Sequence, residues 1–235
     1  MKILVININT STSITDRMRF VIGQVKHPQT EVDVICPEHG PVTIDSSYDE
    51  AYAVPPTLEL VQAAQDKGYD AILLGCFCDA GVEAAREISS IPVVAMEEAT
   101  FAVALTLGNK FGILTEKRPR IAMKEQHVRR AGLLSRLAAI RALGLSTADL
   151  DAHPEETKKR GIDIARKMIE DDGAEVIIMG CASMAGYDKD VEREIGVPVL
   201  DPTAVSFKYA EMIASLGVSH SRVGLYHPPI RKEFK

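Results

Sequence analysis

Residues 69–95 read YDAILLGCFCDAGVEAAREISSIPVVA, and residues 174–201 read AEVIIMGCASMAGYDKDVEREIGVPVLD. Both run from an apolar strand into Gly-Cys, then three residues, then Ala-Gly. Both continue as an acidic helix containing Glu-Ile and reach Pro-Val at the start of a further strand. The copies lie about half a chain apart, which describes two similar lobes; solenoid units recur every ~20–50 residues. In each copy the cysteine, Cys76 or Cys181, stands at the C-terminal end of a strand just before a helix. Ligand sites in open parallel sheets form at that end. Two such lobes set face to face place Cys76 and Cys181 on opposite walls of one cleft.

Working outward, short apolar runs alternate with helical patterns along the chain. Strands are expected at Ile3–Ile6, Val32–Ile35, Ala71–Leu74, Val93–Ala95, Gly112–Leu114, Ile140–Leu143, Val176–Met179 and Val197–Leu200. Helices are expected at Thr57–Lys67, Asp79–Ile88, Thr100–Leu107, Arg120–Ala131, Glu155–Glu170 and Ala204–Ser215. Such alternation, with strands that are near-continuously apolar, predicts an α/β fold. The expected architecture is two pseudo-symmetric lobes, each a mostly parallel sheet flanked by helices, with the active site in the cleft between them. Residues 1–97 and 209–235 would form the first lobe, carrying Cys76, and residues 98–208 the second, carrying Cys181. Asp151–Pro154 reads as a loop, and the tail after Gly217 as irregular. Asp201-Pro202 reads as a strand end followed by a helix with proline near its first position.

Bulk properties narrow the function classes. The chain has 235 residues, 46% hydrophobic and 26% charged, with a net charge of −6. That charge gives no electrostatic case for nucleic acid or an anionic membrane surface. No apolar stretch approaches a membrane span, and the N-terminal run is too short for a signal peptide. A cytoplasmic location is expected, where Cys36, Cys76, Cys78 and Cys181 would stay as free thiols. The six histidines show no metal or triad spacing. Cys76-x-Cys78 has no second ligand pair to complete a metal site, so none is expected. Neither Gly-x-Ser-x-Gly nor Gly-x-Gly-x-x-Gly occurs, which argues against a serine hydrolase and a dinucleotide enzyme.

Paired cysteines make chemical sense on their own. A strand-to-helix turn supplies backbone N–H groups and the positive helix end, both of which are expected to lower a thiol pKa. Thiols on opposite faces of a carbon can remove a proton from one side and return one to the other. Backbone donors in the same loops could stabilise the carbanion. A single free cysteine at a strand end is usually a small buried hydrophobe; duplication at matched positions favours the paired, functional reading.

At these two motifs the sequence resembles the aspartate/glutamate racemase superfamily, and within it the hydantoin racemase and allantoin racemase branch. The resemblance spans nearly the whole chain. It includes Asn7-Ile8-Asn9-Thr10, Gly40-Pro41-Val42-Thr43-Ile44, Tyr48-Asp49-Glu50-Ala51 and Val54-Pro55. It continues through Cys76-Phe77, Asp79, Gly81 and Ala84-Ala85-Arg86-Glu87, then Gly180-Cys181-Ala182, Met184-Ala185 and Val197-Pro198-Val199. It implies a cofactor-independent racemase of a small molecule, an isomerase with Cys76 and Cys181 as the proton-transfer groups, and a homo-oligomer. It makes Asn9, Thr43, Phe77, Thr115, Ala182 and Ser183 candidates for substrate binding; Glu116, next to Thr115, is a further candidate that the resemblance does not supply. Asn9 and Thr115 follow apolar strands and can hydrogen-bond a carboxylate, amide or imide; Asn9 and Thr10 can equally form a helix cap or turn.

Three positions depart from the branch: Cys78, the run Glu116-Lys117-Arg118 after Thr115, and Ser183. The charged run reads either as a solvated loop or as a sign of a different substrate. The expected substrate is a 5-substituted hydantoin or allantoin. The alternatives are an amino-acid racemase using Glu116, Lys117 or Arg118 for the substrate's charges, a maleate isomerase, and a malonate decarboxylase. The decarboxylase uses one cysteine, so two argue against it. A non-enzymatic small-molecule binding protein is the reading of a different class.

Overall fold

A computed structural model describes residues 1–230 of the chain. Strands β1 (Lys2–Ile6), β2 (Glu31–Ile35), β3 (Ala71–Leu74) and β4 (Val93–Ala95) form one parallel sheet in the order β2-β1-β3-β4. Strands β5 (Phe111–Thr115), β6 (Leu137–Ala142), β7 (Val176–Met179) and β8 (Val199–Leu200) form a second in the order β6-β5-β7-β8. The two orders are the same topology used twice, as the repeat predicts. Registers match as well: Gly75 N donates to Ile6 O and Gly180 N to Leu114 O, both at 2.8 Å. Each glycine therefore carries its strand's ladder one residue further and delivers the following cysteine beyond the sheet edge. Strands β3 and β7 are buried along their whole length, which fits helices on both faces.

Helices α1 (Thr12–Val25), α2 (Ser47–Ala64), α3 (Val82–Ile88) and α4 (Met96–Leu107) accompany the first sheet. Helices α5 (Pro119–Arg130), α6 (Thr147–Ala152), α7 (Pro154–Glu170) and α8 (Asp188–Ile195) accompany the second, and α9 (Pro202–Leu216) closes the described fold. Helix α2 begins ten residues before the expected Thr57 and runs through Pro55 and Pro56. The prolines mark a break in the pattern because each lacks an N–H. The start is decided upstream, where the Ser46 hydroxyl accepts from Asp49 N at 3.2 Å and acids at 49 and 50 complement the helix dipole.

The Asp151–Pro154 stretch, expected as a loop, is the junction of two helices. Ser146 and Asp149 close a capping box that starts α6, and Pro154 opens α7 directly after His153. Asp201 caps α9, with Pro202 at its first turn, as read from the sequence. The lobe boundary expected at residue 208 falls inside α9, which packs on α1, α4, β3 and β4. Helix α4 touches both β4 and β7. One apolar core therefore crosses between the sheets, through Phe77 edge-on to Phe101 at 5.8 Å and Phe101 stacked on Phe111 at 5.3 Å. Among the described residues no helix is long and apolar enough to cross a membrane.

Candidate active site

The repeat delivers its two cysteines to one place. Cys76, after β3, and Cys181, after β7, line a single narrow cleft between the lobes. Cys36, Cys76, Cys78 and Cys181 are all free thiols. Gly75 and Gly180 form part of the same wall. Asn9, Phe77, Glu116, Ala182 and Ser183 also face this cleft. Asn9 Oδ1 accepts from Asn7 Nδ2 and from Ser11 N, both at 2.9 Å, so its carbonyl is committed to the turn before α1. The cap of α1 itself is Ser11, and neither Asn9 nor Thr10 takes that role. Ser183 Oγ is buried and finds no nitrogen or oxygen partner.

Thr43 and Thr115 do not reach the cleft wall; each stands behind a residue that does. Thr115 Oγ1 donates to Glu116 Oε2 at 2.6 Å. Thr43 Oγ1 donates to Asp45 Oδ2 at 2.8 Å, and Asp45 Oδ1 accepts from Thr147 Oγ1 at 2.7 Å. Thr147 lines the cleft. The charged run after β5 divides: Glu116 is buried, while Lys117 and Arg118 point to solvent. Neither exposed cation lines the cleft.

Sequence reasoning passed over the basic side of the site. Arg120 and Lys124, both on α5, are buried in the cleft wall. Arg120 Nε donates to Glu116 Oε1 at 3.2 Å and its Nη2 to Glu50 Oε1 at 2.9 Å, tying the second lobe to α2 of the first. Lys124 Nζ donates to the Phe77 carbonyl at 2.9 Å and lies 4.7 Å from the Phe77 ring centre. The available signal was the spacing: Arg120 and Lys124 lie four residues apart on one face of α5, with Glu116 four residues earlier in the loop before it.

The thiols are less acidic than the strand-to-helix reading expects. Neither cysteine stands at an α-helix start, because α3 begins only at Val82 and α8 at Asp188. The Cys76 thiol is held well above the usual range, first by its hydrogen bond with Cys78, then by burial and by the charge of Cys181. Burial, with Glu116 adding to it, pushes the Cys181 thiol up to about 12, against the Ser183 backbone and Lys124, which pull it down. Cys78 Sγ lies 3.3 Å from Cys76 Sγ, so the two share a face as strand-end neighbours two apart do.

The loops are fixed by two carboxylates, one half-buried and one buried. Asp79, three residues after Cys76, accepts from Glu97 N at 2.8 Å and Glu98 N at 2.9 Å. In the second lobe Asp201 accepts from Gly186 N at 2.7 Å, so it does hold the loop that follows Cys181. The tie is the same in kind and reversed in origin: the loop supplies the acid in one lobe, the helix in the other.

A sequence profile of Asp/Glu/Hydantoin racemases matches residues 3–210. The chain belongs to this racemase family. Family relatives align end to end: a hydantoin racemase from Pseudomonas sp. (strain NS671) is 34% identical over 239 residues, covering 100% of this chain and 94% of the relative. Two solved racemase structures superpose closely. The allantoin racemase from Klebsiella pneumoniae has a TM-score of 0.96 at 29% identity, covering 100% of this chain and 96% of that one. The allantoin racemase from Pseudomonas fluorescens has a TM-score of 0.95 at 31% identity, covering 100% of both. Membership in the racemase family makes isomerase chemistry the frame for the cleft.

Proposed function

We propose that the protein is a cofactor-independent racemase of hydantoin-type substrates, a 5-substituted hydantoin or allantoin, working by proton transfer between Cys76 and Cys181. The observation that carries the reading is the convergence of two cysteines from matched loops on one cleft. In one direction the Cys76 thiolate takes the proton from C5, beside the ring carbonyl, and becomes a thiol. The electron pair left behind delocalises into the carbonyl. The Cys181 thiol then gives its proton to the opposite face and becomes a thiolate. The return reaction swaps the roles, so protons and charge balance over each turnover. Asn9 Nδ2 and the Ser183 hydroxyl are the neutral donors for the ring's carbonyl oxygens.

The relatives named as hydantoin and allantoin racemases support this substrate class. Proton exchange at C5 tests it: the C5 signal of hydantoins and allantoin should be lost in heavy water with enzyme. A folded protein that exchanges none of them refutes the substrate assignment. Cys76→Ser and Cys181→Ser should each abolish racemisation, and full turnover by either refutes the two-thiol mechanism.

A further inference from the structure

Lys124 is a buried cation whose polar contact is the Phe77 carbonyl, at 2.9 Å, with the Phe77 ring beneath it. No ion pair among the described residues involves it. Buried ammonium groups are rare without a negative partner. Of the nearby carboxylates, Glu116 and Glu50 hold Arg120, and Glu97 Oε2 holds His127 Nδ1 at 2.7 Å while its buried Oε1 has no partner among the described residues. An ammonium has three donors, and the carbonyl takes one of them. Phe77 directly follows Cys76, so α5 of the second lobe is pinned to the cysteine loop of the first. Lys124 shares the cleft wall with Cys76 and with Cys181.

We infer that Lys124 is the counter-cation shared by the two reacting thiolates. This rests on the two-thiol reading above and adds the charge that reading requires. Two thiols buried in one cleft are poor thiolates, and one must ionise before any proton can move. The Lys124 charge lowers both thiol pKa values, against the burial and neighbouring charges that raise them. As a proton crosses the substrate, negative charge passes from one sulfur to the other. A cation fixed at the lobe junction attracts the charge at either end and need not move, which suits a reaction run in both directions.

Other ionisable groups face this region from every side. Helix α2 contributes Glu50, the loop after β3 contributes Cys78 and Asp79, and α4 contributes Glu97. Glu116 follows β5, and Arg120 and His127 flank Lys124 on α5. Of the cations among these, Arg120 and His127 each already hold a carboxylate, which leaves Lys124 for the sulfurs.

Site-resolved alkylation by iodoacetamide across pH, followed by mass spectrometry, tests the assignment. Lys124→Met should slow alkylation of both Cys76 and Cys181 at mildly alkaline pH by about tenfold or more, the effect of a one-unit rise in thiol pKa. Lys124→Arg should restore most of the rate. Cys36, outside the cleft, should be unchanged and reports that the fold is intact. Where the methionine variant fails to fold, Lys124→Gln keeps a donor for the Phe77 carbonyl, removes the charge and should show the same loss. Unchanged rates at both cysteines in a folded variant, or slowing at only one, overturn the inference. The readout needs no substrate, so failure to exchange hydantoins would not affect it.

Discussion

Cys78 Sγ is the hydrogen-bonding neighbour of Cys76 Sγ, 3.3 Å away on the buried side of the cleft. That contact is the first cause of the raised Cys76 thiol. Cys78→Ala should therefore lower the Cys76 pKa and raise its thiolate fraction. Alkylation of Cys76 at neutral pH should quicken by about three- to tenfold, on the scale of half to one pKa unit. Cys181 should change little. A Cys76 rate profile with the same pH midpoint as the parent would contradict the coupling.

Among the hydrogen bonds that latch the lobes across the cleft are Thr147 to Asp45 at 2.7 Å and Arg120 to Glu50 at 2.9 Å. Thr147→Val keeps the side chain's shape and removes the hydroxyl donor, leaving Asp45 held by Thr43 and the Thr147 backbone. The expected cost is about 1 kcal/mol of stability, the net worth of one hydrogen bond. Because Asp45 lies on the segment leading into α2, loosening it should raise KM more than it lowers kcat. Steady-state kinetics with a hydantoin, beside chemical denaturation, separates the two effects. An unchanged KM would show that the latch does not shape the bound state.

Most of this arrangement was legible where local pattern and tertiary role coincide. The central strands β3, β5 and β7 are buried along their whole length because both sheet faces are covered there, and the matched Gly-Cys steps follow from matched ladders. The parts missed are those where a charged or polar side chain points inward. Arg120 and Lys124 look like a solvated helix face until α2 and the Phe77 loop close over them. Thr43 and Thr115 do not line the cavity, and their hydroxyls serve Asp45 and Glu116 instead. The expected acidity of the cysteines failed because several residues of loop separate each thiol from the next α-helix, a spacing that sequence pattern alone leaves open.

Two carboxylates with raised pKa values, Asp79 and Asp201, make folding stability depend on pH in an unusual direction. Burial, with Glu97 adding to it, pushes Asp79 up to about 8, and burial pushes Asp201 up to about 6, both from 3.8. An acid whose folded pKa is raised holds more protons folded than unfolded between the two values. Its contribution therefore falls as pH rises, here from about 4 to about 8. Asp79→Asn removes the larger part of this. Its backbone φ of 50° is one that asparagine tolerates, so the turn should survive. The difference in Tm between variant and parent should move in the variant's favour as pH rises through that window. A difference independent of pH would exclude Asp79 as the titrating group.

The matched glycines are not equally replaceable, although the repeat makes them equivalent in sequence. A Cβ at Gly180 would meet the backbone oxygen of Leu114 at 2.6 Å and Ile113 Cγ2 at 2.7 Å. A Cβ at Gly75 would meet chiefly the terminal methyl of Met18, with the Ile6 carbonyl at 3.2 Å. Methionine can rotate that methyl away, whereas a carbonyl inside a parallel ladder moves only with its strand. Gly180→Ala should thus cost about 3 kcal/mol, the upper range for overpacking, and Gly75→Ala about 1 kcal/mol. Gly180→Ala should also displace Cys181, so its racemase activity should fall further than its stability alone explains. Denaturation midpoints and turnover for the pair provide the comparison, and equal or reversed losses would show that strand β5 yields as readily as Met18.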